Sequence, residues 1–169
     1  MRRIFALLIG LLTTVLLVAV LTGGVAGARA AQATHSDEGG QFFATLVPDL
    51  GPKVEPTIGG VAPGGLPWVQ KSGHASLSRS GRLQAEVNGL LFGPGAPANL
   101  VGTTGPIRQV FASVVCADGT VVSANAVPFS KRGNAHLTQH ITLPAQCVGP
   151  IVLIRASLDG GPWIAATGV

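Results

Sequence analysis

Ala75-Ser76-Leu77-Ser78-Arg79-Ser80-Gly81-Arg82-Leu83-Gln84-Ala85-Glu86-Val87-Asn88 is the stretch that decides the fold class. Leu83, Ala85 and Val87 alternate with Gln84, Glu86 and Asn88. A period of two sets one face of an extended chain against a core and the other in water. Ala75 and Leu77 lie in a short run before Arg79-Ser80-Gly81, where the chain turns. The segment reads as a β-hairpin.

The same signature recurs on both sides. Phe42, Ala44 and Leu46 alternate with Phe43, Thr45 and Val47. Residues 107–116 and 120–127 flank Ala117-Asp118-Gly119, and Asp118-Gly119 is the pair favoured by a two-residue type I′ turn. Residues 130–134 turn the chain into 135–143, where Leu137, Ile141 and Leu143 are expected to face in. His136, Thr138, His140 and Thr142 are then expected to face out. Residues 151–157 and 163–167, joined by Leu158-Asp159-Gly160-Gly161, form the last pair. Helical periodicity is absent beyond Leu21. About eight short strands with turn signals at this spacing predict an all-β, antiparallel β-sandwich of the immunoglobulin-like kind. That architecture carries many functions and names none.

Upstream, Arg2 and Arg3 precede an apolar run from Ile4 to Leu21, followed by Gly23, Gly24 and Gly27. Ala28-Arg29-Ala30 satisfies the small-x-small rule, so residues 1–30 read as a signal helix cut between Ala30 and Ala31, with Ala26-Gly27-Ala28 as a second cleavage candidate. The alternative is an uncleaved membrane anchor, for which a run of about 18 residues is barely long enough. Export changes the charge balance. The net charge of the full chain is +4, but losing Arg2, Arg3 and Arg29 leaves eight basic against seven acidic side chains, about +1. A chain so close to neutrality has no electrostatic footprint for nucleic acid, and no polybasic membrane patch is present. The expected location is secreted or associated with the cell envelope.

About 140 residues remain after cleavage, enough for one domain with its own core. Residues 31–40 are small and polar, a lead-in, and residues 41–169 form the single domain. Within it, residues 48–67 hold five of the twelve prolines and five glycines, which excludes helix or central strand there. So long an irregular stretch is expected to be a surface loop with a role or a semi-rigid linker.

Cys116 and Cys147 are the only cysteines, and an exported chain matures where thiols oxidise. If 107–116, 120–127 and 135–143 run up, down and up in one sheet, both cysteines lie at the same end. Two strands separated by one neighbour are about 9–10 Å apart, too far for a direct bridge. The extension Pro144-Ala145-Gln146-Cys147 can return over the edge and close a disulfide.

Familiar chemistries are poorly represented. His136 and His140 would share a face on a helix, but on a strand four residues span about 13 Å, too far to chelate one ion. No acid lies nearby in sequence, and His35 and His74 have no sequence-local partner. A Gly-x-Ser-x-Gly elbow is missing, although a triad can assemble from distant residues. Asp37-Glu38 are the only adjacent acids; Glu55 and Glu86 are isolated, and Asp118 and Asp159 suit turns. These patterns predict no catalytic residues, cofactor or metal.

Binding is the remaining class. Trp68 and Trp163 each follow a proline beside glycines, and an exposed tryptophan can stack on a sugar ring or bury into a partner. The alternative is that each packs at an end of the sandwich. The 48–67 loop leading into Trp68 is the candidate surface.

Gly65-Leu66-Pro67-Trp68-Val69, the Ser-Gly-Arg hairpin and Trp163-Ile164-Ala165-Ala166-Thr167-Gly168 resemble short exported bacterial proteins of unassigned function. Phe43-Ala44-Thr45-Leu46 before a proline-rich stretch is similar to the opening of CHRD domains, which are extracytoplasmic β modules. The His-x-His signature of those domains is absent, so no residue role is carried across. The reading is an exported, disulfide-closed module that binds an envelope component or another extracellular protein, or serves as a structural surface component. The runner-up is a secreted hydrolase with a site assembled from sequence-distant Ser, His and Asp residues.

Overall fold

In the computed structural model, the described residues are 41–51, 56–158 and 160–168. The signal segment, its Ala30–Ala31 cleavage site and the lead-in lie outside them. Every regular element among them is a strand: β1 (Phe42–Pro48), β2 (Trp68–Val69), β3 (Ser72–Leu77), β4 (Arg82–Asn88), β5 (Leu91–Phe92), β6 (Gln109–Val115), β7 (Val121–Ser123), β8 (Val127–Pro128), β9 (Ala135–His140), β10 (Ile151–Ala156) and β11 (Trp163–Thr167). The described part of the chain is all-β, and the eight alternating runs each find a place. The run at 120–127 divides into β7 and β8, both paired with β6. The strand expected to end at Leu143 stops at His140.

Nine strands form one curled antiparallel sheet in the order β7-β6-β10-β11-β1-β3-β4-β9, with β8 beside β6. The curl turns on β1. Its first half, Phe42 to Thr45, pairs with β3, whereas Leu46 to Pro48 pair with β11. Leu46, at the changeover, is fully buried. Inward residues of both halves meet in one core: Ala75, Leu77, Leu83, Ala85 and Val87 with Val110, Ala112, Val114, Val152 and Ile154. A second, smaller core gathers Val115, Leu153, Trp163 and Ala166 beneath Ile58 and Val61. The continuous apolar runs of β10 and β11 follow from this, because those strands are covered on both faces.

Three reversals share one device. Gly81, Gly119 and Gly133 donate their N–H to Ser78, Cys116 and Ser130 respectively, and each has positive φ. The flanking residues close the loop by a second bond, as in Cys116 N–H to Thr120 O at 2.9 Å. This is a three-residue loop with glycine last. The type I′ turn expected at Asp118-Gly119 is thereby corrected: Ala117 and Asp118 are central, and Gly119 takes the left-handed position.

Cys116 and Cys147 are disulfide-bonded, with Cα atoms 4.9 Å apart. The route differs from the one expected. β9 pairs with β4, far from β6 in the strand order. The bridge closes because β10 runs antiparallel to β6, with Ile151 opposite Val115 and Ala117 N–H bonded to Val148 O at 2.9 Å.

Candidate functional site

Strand alternation sends His74 and Glu86 outward, and the β3–β4 register sets them opposite each other. The β4–β9 register sets Glu86 opposite His136. Glu86 therefore stands between two imidazoles: its Oε2 is 3.9 Å from His74 Nε2 and 3.8 Å from His136 Nδ1. Thr45 continues this row on β1, and Phe43, Ser76, Gln84 and Thr138 make the next. Phe43 is 68% exposed and stacks on His74, with ring centroids 5.8 Å apart. Asn88 Nδ2 donates to Glu86 Oε1 at 2.8 Å and holds the carboxylate in the row.

This face is open. The side chains of His74, Glu86 and His136 are 47%, 36% and 69% exposed, so water screens their mutual attraction. Among the described residues, no three His, Cys, Asp or Glu side chains are placed to hold one metal ion. Thr138 Oγ1 lies 3.2 Å from His136 Nε2, which completes a hydroxyl–imidazole–carboxylate sequence with Glu86. The final imidazole–carboxylate step, at 3.8 Å, is longer than a hydrogen bond. The row offers aromatic stacking and several hydrogen-bonding groups to a ligand lying across the strands.

The two tryptophans proposed as a contact surface lie inside. Trp163 is 0% exposed beneath Ile58 and Val61, and its Nε1 donates to Pro56 O at 3.3 Å. Trp68 is 2% exposed and packs on Phe92 with centroids 4.0 Å apart. Neither ring faces solvent. The loop leading to Trp68 is likewise tied down in its described part. Ile58 and Val61 bond each other through both backbone pairs, Trp163 N–H reaches Ala62 O, and Gly64 N–H reaches Trp163 O at 2.8 Å. Asp49 pins the loop's two ends. Its buried carboxylate accepts from Gly51 N–H at 2.8 Å and from Gly65 N–H at 3.1 Å.

His140 is opposite Arg82, at the other end of β9 from His136. His35 lies outside the described residues. The sequence reading missed Glu86 because 12 positions separate it from His74 and 50 from His136. Alternation already pointed Glu86 and His136 outward; strand order and register were the missing information.

A comparison with family models, curated proteins and solved structures finds no match to this chain. Among the described residues, no helix is long and apolar enough to cross a membrane.

Proposed function

We propose that this chain is an exported, non-catalytic binding module that uses the outer face of β1, β3, β4 and β9 to hold a component of the cell envelope. In this reading residues 1–30 are a cleaved signal helix, and the mature domain is secreted or envelope-associated. The two halves of the curled sheet, facing each other across the main core, are the layers of an immunoglobulin-like sandwich. The observation that carries the proposal is the exposed Phe43 stacked on His74 beside the His74–Glu86–His136 row. Aromatic and planar polar groups on a rigid sheet suit a flat, hydroxyl-rich ligand such as a sugar polymer. The disulfide agrees with an oxidising compartment.

The test is sedimentation of the purified, oxidised protein with washed bacterial envelope. The wild type is expected in the pellet, with affinity falling about tenfold in Phe43→Ala or His136→Ala, as for a central contact residue. Protein that stays in the supernatant with every envelope fraction ends this reading. The Thr138–His136–Glu86 sequence supports a second one, a hydrolase acting through Thr138. It requires turnover of p-nitrophenyl acetate that disappears in Thr138→Val.

A further inference from the structure

A cavity of about 410 Å³ lies between the connection from β5 to β6 and the turn from β8 to β9. Asn99, Thr103, Thr104, Gly105 and Arg108 line it from the first, and Lys131 from the second. The connection is fixed by its own hydrogen bonds. Phe92 N–H donates to Thr103 O and Gly102 N–H to Phe92 O, both at 2.9 Å. The Thr103 hydroxyl donates to Leu100 O at 2.7 Å and accepts from Gly105 N–H at 3.0 Å. Arg108 Nη1 donates to Gly105 O at 2.7 Å and to Ile107 O at 3.0 Å, which holds the guanidinium against this same loop.

Two cations thus border one cavity that has no acid in its wall. The described acids are engaged elsewhere: Asp49 by Gly51 and Gly65, Glu86 by two histidines, and Asp118 by Thr120 N–H. Arg108 Nη2 and Nε, the Lys131 ammonium and the Asn99 amide have no partner among the described residues. Thr104 is 2% exposed, and its hydroxyl has no partner among them either. The sealed, unpaired side-chain atoms among the described residues are Trp68 Nε1 and Gln70 Oε1, so the Thr104 hydroxyl keeps its opening on the cavity it lines. We infer that this cavity is a binding site for a sugar phosphate. Two positive charges without a counter-charge match a phosphate monoester, which carries about 1.5–2 negative charges at neutral pH. Arg108 and Lys131 take the phosphate oxygens, and Asn99 and Thr104 bond the ring hydroxyls. Volume sets the size. A cavity of about 150 Å³ accommodates benzene, so this one suits about sixteen heavy atoms, a hexose phosphate rather than phosphate alone. The site shares no residue with the outer-face row, so its occupancy does not depend on the envelope-binding proposal.

Titration of the ¹⁵N-labelled, oxidised protein with glucose 6-phosphate is expected to move the backbone amide signals of residues 99–105 and Lys131 and to saturate. Glucose is expected to give no saturable shift, and inorganic phosphate to bind about tenfold more weakly than the ester. Raised salt is expected to weaken both anions. Lys131→Gln and Arg108→Gln are each expected to weaken glucose 6-phosphate binding about tenfold, as for a hydrogen bond to a charged group. Lys131→Gln breaks no side-chain bond among the described residues, so its urea midpoint is expected to stay at the wild-type value. Thr104→Val keeps the shape, removes the hydroxyl and is expected to weaken the ester about threefold. No saturable shift with glucose 6-phosphate up to its solubility limit overturns the inference. Equal affinity for inorganic phosphate also overturns it, because the sugar then adds nothing. So does an affinity unchanged in Lys131→Gln, because the ester is then bound elsewhere.

Discussion

Asp49 is a carboxylate with no exposed surface just past the end of β1, where the chain leaves the sheet. Burial pushes its carboxyl above the ordinary carboxylate value, against the opposing pull of the Gly51, Gly65 and Gly64 N–H groups. Because the folded state has the higher value, folding favours the protonated form. Asp49's contribution to stability is therefore greatest below the unfolded-chain value of about 3.9 and declines as pH rises through the raised one. Asp49→Ala leaves two N–H groups without their acceptor and is expected to destabilise by about 1–3 kcal/mol in urea unfolding. Across the acidic interval, the gap between wild type and variant is expected to narrow as pH rises; a widening gap contradicts the raised value. Arg155 illustrates the use of a half-buried charge. Its guanidinium lies 4.9 Å from the Phe111 ring centroid and donates to Gly160 O at 3.2 Å, fastening the β10–β11 turn.

At the scale of elements, the glycine-last loops separate backbone preference from crowding. Gly81 has φ +90°, and a Cβ there would lie 2.0 Å from Ile141 O, a backbone atom that cannot yield without moving β9. Gly119 has φ +84° and nothing within 4 Å of the same position. Gly119→Ala is therefore expected to cost about 1–2 kcal/mol, the left-handed penalty alone. Gly81→Ala is expected to cost more, with β9 losing amide-exchange protection first. Equal losses in the two variants would show that the contact with Ile141 is relieved without consequence. The hairpins were legible in the sequence because each strand pair is local and its turn is written in three residues. The turn type was not, since Asp-Gly serves both a two-residue loop and the end of a three-residue one.

For the molecule as a whole, the β1 changeover joins the two halves of the curled sheet, and the disulfide ties the end of β6 to the segment that leads into β10. Leu46 is buried where β1 passes from β3 to β11, so Leu46→Ala is expected to cost about 2–5 kcal/mol and to loosen both halves together. Unfolding in a single transition with a lower midpoint checks this; loss of one half alone would make the halves independent. Cys116 and Cys147 are 31 residues apart in sequence. Replacing both with serine is expected to remove about 3–4 kcal/mol in the chain-entropy model, read as a lower urea midpoint. Burial of both tryptophans belongs to this scale. Trp163 is enclosed because the loop folds back over β10 and β11, a placement that no local pattern around Pro162-Trp163 encodes.

Period-two alternation, turn residues and the absence of helical spacing beyond Leu21 determined the all-β class, because side-chain direction along a strand is a local property. Cysteine number pointed to a disulfide for the same kind of reason, since only one pairing was available. Tertiary structure alone decided that β9 joins β4 and β10 joins β6, because the strands' partners lie at sequence distances that alternation does not encode. From that order came the route of the disulfide, the second core under Ile58 and Val61, and the placement of Glu86 between His74 and His136. Facing was written in the chain; neighbours were set by the sheet.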